Sequence, residues 1–187
     1  GIILPQYSFT VADWKRSPAN VLRRVQQHFA ERWLVVRSSS KQEDSLQASA
    51  AGKFTSVLAV DREDAVSLRR AVITVVKSFG RSATPGDQVM VQPQVRDVMM
   101  SGVVFTCDIK SGAPYYVINY DTSGSTDSVT GGKGGEQHLH YLYRGSSVQP
   151  KDKRLRALLR CVRDLERLAG NRAVDIEFAV DRRGRVI

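Results

Sequence analysis

The sequence has little cysteine, with only two among its 187 residues. Cys107 lies in the apolar run VVFTC and Cys161 lies in a helical pattern, so neither fits the spacing of a metal or redox motif. The chain also lacks a run of about 18 apolar residues and a charged-then-apolar leader. These absences argue against membrane insertion and secretion, and they predict a protein of the reducing cytoplasm with no membrane partner.

Excess negative charge is also absent, since 28 lysines and arginines outnumber 19 acidic residues to give a formal net charge of +9. This balance predicts a polyanionic partner. The basic residues are dispersed over separate predicted elements and lack the interleaved aromatics of a single-strand-binding surface. We therefore expect phosphate-bearing small molecules rather than nucleic acid.

Hydrophobic periodicity predicts a folded chain of mixed helices and strands, as one domain or as two lobes that share one site. Amphipathic patterns predict helices at 18–32, capped by Ser17, at 62–79, capped by Asp61, and at 153–168. Apolar or alternating runs predict strands at 33–37, 88–92, 102–106, 115–120, 138–143 and 174–180. The turn DRRG then opens a short return strand, which predicts that the natural protein continues beyond this chain.

A glycine-rich loop spans residues 121–137 and has the composition of either a linker or a ligand-binding flap. Its segment VTGGKGGE is not a Walker loop, because Asp127 stands at the first glycine position and Gly134 follows Lys133. Lys133 is either a mobile cation for phosphate or a solvent-exposed lysine.

Two acidic residues, Asp175 and Glu177, lie two positions apart in the predicted strand VDIEF, so their side chains leave the same face. Ile176 and Phe178 are expected to point into the core. Like charges this close repel each other unless a cation lies between them. The pair is either a magnesium site or an exposed acidic pair on an edge strand.

Arg37 follows an apolar strand and enters the serine-rich stretch RSSSKQED. Taken alone, it would form a surface ion pair with Glu43 or Asp44. Together with the paired carboxylates and the glycine-rich loop, it supplies the groups that hold a triphosphate and its metal ion. His138 and His140 share one strand face, but no third metal ligand lies nearby in the sequence.

Four blocks in order resemble the nucleotide-binding domain of phosphoenolpyruvate synthase and pyruvate phosphate dikinase. They are VRSSSKQEDSLQASAAGKFTSVLAV (36–60), VMVQPQV (89–95), SGVVFT (101–106) and VDIEFAVDRRGRV (174–186). The resemblance implies an α+β chain with the ATP-grasp fold, in which two α+β lobes enclose a nucleotide cleft. The expected lobes are residues 1–95 and residues 96–187.

The resemblance also implies a set of site residues, with ATP and Mg²⁺ as cofactors. Arg37 would clasp the phosphates and stabilise charge during phosphoryl transfer, and Glu177 with Asp175 would hold the metal. Residues expected to contact the adenine or to cover the nucleotide are Gln92, Gln94, Val95, Gly52 and Ser56. The family more usually carries threonine at the position of Ser56.

In the resembled family, ATP phosphorylates a histidine on a separate domain, which passes the phosphoryl group to an acceptor on another domain. We expect those domains in the parent polypeptide. One alternative is a dikinase of the same fold whose acceptor is a glucan or an antibiotic. Another is a degenerate, non-catalytic lobe with a regulatory or interaction role. The family's first lobe begins with a glycine-lysine motif that this chain lacks, and its return strand carries a glutamine beyond the point where the chain stops. The chain is therefore expected to be inactive alone.

Overall fold

The computed structural model describes residues 1–39, 55–80, 83–124 and 137–187. These residues fall into two compact units, the first formed by Leu4–Gln94 and the second by Gly1–Ile3 with Val95–Ile187. The helices and strands of the first unit are β1 (Tyr7–Thr10), α1 (Val11–Arg16), α2 (Pro18–His28), β2 (Trp33–Ser39), β3 (Ser56–Asp61), α3 (Ala65–Ser78) and β4 (Gln88–Pro93). Those of the second unit are β5 (Val98–Phe105), β6 (Tyr115–Asp121), β7 (Gln137–Tyr143), α4 (Lys153–Ala169) and β8 (Asp175–Asp181).

The first unit contains an antiparallel sheet with strand order β1-β4-β2-β3. Its core joins one face of this sheet to the apolar sides of α2 and α3. The buried members of this core include Leu34, Val36, Val89 and Val91 from the strands and Val25, Leu68, Val72 and Val75 from the helices. Because side chains alternate along a strand, the intervening residues lie on the opposite face, which we call the far face of the first sheet.

The observed strand β2 is longer than predicted, since it runs to Ser39 rather than ending at Arg37. Arg37 pairs with Met90 on one side and with Ser56 on the other. Ser38 follows it on the helix-covered face and is 3% exposed. The arginine therefore lies within the sheet, paired on both sides, rather than at the end of a strand.

The first two predicted helices are shorter than expected. Helix α2 ends at His28 rather than at residue 32. The predicted cap, Ser17, makes no side-chain hydrogen bond to α2. This residue also ends α1, where its N–H donates to the carbonyl oxygen of Asp13 (3.1 Å). Helix α3 is capped by Asp64, whose carboxylate accepts from the N–H groups of Val66 and Ser67. The predicted cap, Asp61, instead accepts hydrogen bonds from Arg32.

The second unit contains an antiparallel sheet with strand order β7-β6-β5-β8, covered on one face by α4. Buried residues of this core include Met100, Val104, Ile118 and Phe178 from the strands and Leu155, Leu158, Leu159 and Val162 from α4. We call the opposite surface the far face of the second sheet. Close approach of β5 and β6 requires a glycine at position 102, where a Cβ would lie 2.1 Å from the carbonyl oxygen of Asn119.

The ends of α4 and β8 follow the sequence signals closely. Helix α4 begins after Asp152, which caps it, and ends at Gly170 with a left-handed φ of 61°. After β8 the chain turns back, and the backbones of Ala179 and Ile187 exchange two hydrogen bonds, as the predicted return strand requires. All six predicted strands are present, as β2, β4, β5, β6, β7 and β8, and their ends differ from the predicted ones by no more than four residues.

Candidate functional site

The far face of the first sheet places Arg37 in a row of residues that crosses three strands. The row runs from Met90 on β4, through Arg37 on β2, to Ser56 on β3. Directly opposed residues of antiparallel strands have Cβ atoms about 4.5–5.5 Å apart. Arg37 and Met90 are half-buried and Ser56 is exposed, so a ligand at this face would meet a guanidinium flanked by a thioether and a hydroxyl.

Gln92 shares this far face, because it pairs with Val35, two residues before Arg37. Gln94 lies just beyond β4, where its N–H donates to the carbonyl oxygen of Trp33 (2.9 Å) and its side-chain oxygen accepts from the N–H of Ala59 (2.8 Å). These two hydrogen bonds fix Gln94 against β2 and β3. They occupy its backbone N–H and its side-chain oxygen.

The far face of the second sheet carries the predicted acidic pair. Asp175 pairs with Phe105 and Glu177 pairs with Val103, so both carboxylates leave this face, as expected from their spacing. Both are exposed, whereas Phe178, which belongs to the core between the sheet and α4, is 6% exposed. Strand β8 lies at the edge of the described sheet.

The structure groups the predicted site residues within each unit. It brings Arg37, Ser56 and Gln92 onto one sheet face of the first unit, and Asp175 with Glu177 onto one face of the second. Val95 is the first residue of the second unit after the junction at Gln94. Four residues with roles predicted from the sequence lie outside the described residues, namely Gly52, Lys133, Glu43 and Asp44.

Two further residues lie in these rows and were missed from the sequence. Met90 neighbours Arg37, and Asn119 pairs with Val103, which in turn pairs with Glu177. Asn119 therefore lies two strands from Glu177 on the same face and adds an amide oxygen, a ligand type that magnesium accepts. The alternation in QVMVQ and YYVINY assigns each residue to a face, but only the register between strands places it beside a partner.

The histidine pair finds no support as a metal site in the structure. His138 and His140 pair with Tyr120 and Ile118, and the ring of His138 stacks on that of Tyr120 with centroids 5.0 Å apart. Within the described ranges, no group of three or more histidine, cysteine, aspartate or glutamate side chains is arranged to hold a metal ion. Likewise, among these residues no helix has the length and apolar character to cross a membrane.

A buried ion pair fastens α4 to the strands of the second sheet. Glu166 on α4 is 7% exposed and accepts from Arg144, which also donates to the carbonyl oxygen of Thr106 (2.8 Å). The hydroxyl of Tyr116 donates to the same carboxylate (2.9 Å). The hydrogen bond to Glu166 raises the pKa of Arg144, and burial followed by the same carboxylate raises the pKa of Tyr116. This network fixes the strand ends without entering the far face.

Sequence comparison and structure comparison give different results. No protein-family model and no curated protein matches the sequence. Similar solved structures include the D-alanine-D-alanine ligases from Coxiella burnetii (13% identity, TM-score 0.48, 99% of this chain and 41% of that chain) and from Helicobacter pylori (14%, 0.45, 98% and 43%). Another is D-alanyl-alanine synthetase A from Vibrio cholerae (15%, 0.41, 98% and 48%).

These solved proteins are ATP-grasp enzymes, and this chain spans less than half the length of each. With identities of 13–15% and TM-scores below 0.5, the similarity assigns neither a family nor an activity. The α+β class predicted from the sequence is confirmed by the two antiparallel sheets and their helices.

Proposed function

We propose that this chain is the ATP-grasp, ATP-binding portion of a phosphotransferase resembling phosphoenolpyruvate synthase. In this proposal it binds ATP with Mg²⁺ and passes a phosphoryl group to a histidine on another domain of its parent polypeptide. The observation that carries the proposal is the placement of Arg37 beside Ser56, and of Asp175 beside Glu177, on sheet faces opposite the helices.

The arginine supports the phosphate half of the proposal. A guanidinium presents a planar fork of donors that matches phosphate oxygens. Its position within β2, paired on both sides by other strands, limits the entropy lost when it holds a ligand. As charge develops on the transferred group, such a fixed cation stabilises it without reorganisation.

The acidic pair supports the metal half. Two carboxylates on one strand face, with the amide of Asn119 two strands away, form a set of hard oxygen donors. That donor set fits Mg²⁺, which combines one or two carboxylates with waters and phosphate oxygens. A bound Mg²⁺ would neutralise phosphate charge and orient the phosphates for in-line displacement.

The remaining residues position the nucleotide. Gln92 shares the far face with Arg37, and the carbonyl groups of Gln92, Gln94 and Val95 are proposed acceptors for the exocyclic amine of adenine. Pro93 has no N–H, and the N–H of Gln94 already binds Trp33. Backbone contacts from Pro93 or Gln94 to the base therefore depend on the carbonyl oxygens of these residues. Phosphoryl transfer needs little covalent help from the protein, so positioning and charge neutralisation are the roles assigned to this chain.

The test is a titration of the parent protein with MgATP by calorimetry. Arg37→Ala and Glu177→Gln should each lower affinity at least about tenfold, as expected for loss of a charge-assisted contact. Matched controls are Arg24→Ala, on the exposed side of α2, and Glu31→Gln, in the exposed loop that follows. Both controls should bind like the wild type. Equal affinity in all five proteins would remove the assignment of Arg37 and Glu177.

A further inference from the structure

A cavity of about 350 Å³ opens beside the first half of α4 and is lined by Gln149, Lys153, Arg156 and Arg160. Three of these four residues are cations, and they come from successive turns of one helix at spacing i, i+3, i+7. Residues at this spacing share a helix face. The volume lies at the lower end of the range for small-ligand sites, and its lining selects for negative charge.

Within the described ranges, the cations that line this cavity, Lys153, Arg156 and Arg160, form no ion pair with a carboxylate. Two carboxylates that are near these cations in the sequence are engaged by other arginines, Asp152 by Arg154 and Asp164 by Arg167. Like charges at this spacing destabilise a helix, so a bound anion would relieve repulsion as well as make new contacts.

Arg156 is held in place before any ligand arrives. Its Nη1 donates to the carbonyl oxygens of Pro150 (2.7 Å) and Lys151 (2.8 Å), which leaves its other guanidinium nitrogens as donors toward the cavity. Two of the lining residues, Lys153 and Arg156, lie in the first turn of a 17-residue helix, where the helix dipole favours negative charge. A preordered arginine flanked by two uncommitted cations is suited to a multivalent anion.

From this arrangement we infer a second anion site, distinct from the proposed nucleotide site, that binds the phosphate groups of a small molecule. The sheet separates the two, because α4 packs on one face of it and Asp175 and Glu177 leave the other. The site takes a diphosphate better than a monophosphate, since three cations line it. Inorganic pyrophosphate supplies this chemistry without a base or sugar.

The experiment titrates inorganic pyrophosphate into the ¹⁵N-labelled chain at constant ionic strength, with amide shifts as the readout. In the wild type, saturable shifts are expected for residues 149–160. Lys153→Gln combined with Arg160→Gln should weaken this binding at least tenfold. The matched control, Arg182→Gln with Arg183→Gln, removes the same charge from an exposed turn and should leave binding unchanged.

The Arg37→Ala chain separates this inference from the proposed function. It should retain pyrophosphate shifts in α4 even if its MgATP affinity is lost, and loss of the α4 shifts in that variant would contradict a distinct site. Unsaturable shifts in the wild type, or equal weakening in the control pair, would overturn the inference. Shifts caused by oligonucleotides but not by pyrophosphate would also overturn it, in favour of a polymer-binding surface.

Discussion

Arg37 lies directly opposite Ser56 in the antiparallel pairing of β2 with β3. The two residues come from either side of a segment outside the described residues, yet sheet pairing places their side chains on the same face. A change at position 56 therefore alters the immediate surroundings of the guanidinium. This relationship provides a test of the phosphate role that leaves Arg37 itself intact.

Replacing Ser56 with glutamate should lower MgATP affinity at least tenfold. The new carboxylate would stand opposite Arg37, pair with its guanidinium and repel phosphate oxygens. Ser56→Thr, which keeps the hydroxyl and fits a strand, should bind like the wild type. Calorimetric titration of both variants is the measurement, and equal affinity of the glutamate and threonine forms would show that Arg37 does not contact the phosphates.

Gly102→Ala should destabilise the second unit by about 1–3 kcal/mol or more, as overpacking does elsewhere. Its Cβ would lie 2.1 Å from the carbonyl oxygen of Asn119 and 2.7 Å from the Cα of Tyr120, so the β5–β6 pairing must open. Gly86→Ala is the matched control, because a Cβ there meets nothing within 4 Å. Urea unfolding followed by circular dichroism measures the stability of both variants. Similar unfolding midpoints for the two would contradict the predicted strand contact.

The local parts of this architecture could be predicted from the sequence. The shared face of Asp175 and Glu177 follows from strand alternation alone, and α4 follows from its apolar stripe and from Gly170 near its end. The strand and helix at β1 and α1 were missed because four and six residues are too short for a periodic signal. Such elements are defined by their tertiary partners.

The parts that depend on long-range pairing could not be predicted. Asp61 and Asp64 are equally plausible helix caps in sequence, and the ion pair from Arg32 to Asp61 decides between them. The same limit applies to Met90 and Asn119, which became site candidates only once the register of β4 against β2, and of β6 against β5, was known.

Arg144→Met should destabilise the chain by about 3–5 kcal/mol, the usual cost of leaving one member of a buried ion pair without its partner. The side chain of Glu166 is 7% exposed and that of Arg144 is 20% exposed, so water can replace little of the interaction that the carboxylate loses. Arg167→Met breaks an exposed pair with Asp164 and should cost less than about 1 kcal/mol. Chemical denaturation distinguishes them, and comparable losses would mean that Glu166 is not buried as described.

A variant that replaces both partners provides a further check on this ion pair. Arg144→Met combined with Glu166→Leu should recover part of the stability lost in Arg144→Met, because no charge is then left buried. If the double variant loses at least the sum of the two single losses, the buried pair is not the source of the effect.

The carboxylate of Asp152 should make α4 sensitive to acid. Its hydrogen bond with Arg154 holds the pKa of Asp152 below the ordinary value of 3.8. A lowered folded-state pKa contributes stability that is present above the unfolded value and is lost as the pH falls through the folded value. Asp152→Asn keeps a capping side chain but removes the charge, so its stability should fall less than that of the wild type between about pH 5 and pH 2.

The measurement is the free energy of unfolding in urea across this pH range. Arg154→Gln should behave similarly to Asp152→Asn, since it removes the group that lowers the pKa of Asp152. Parallel curves for the wild type and both variants would show that this pair does not contribute to acid sensitivity.

We propose that Arg37 binds the phosphates of ATP and that Asp175 and Glu177 bind its Mg²⁺. The test replaces Mg²⁺ with Mn²⁺ in the ATP complex of the ¹⁵N-labelled parent protein and records paramagnetic broadening. ATP-dependent broadening of the amides at positions 37, 175 and 177 is expected at substoichiometric Mn²⁺. Broadening at positions 175 and 177 without any at position 37, or the same broadening without ATP, would contradict it.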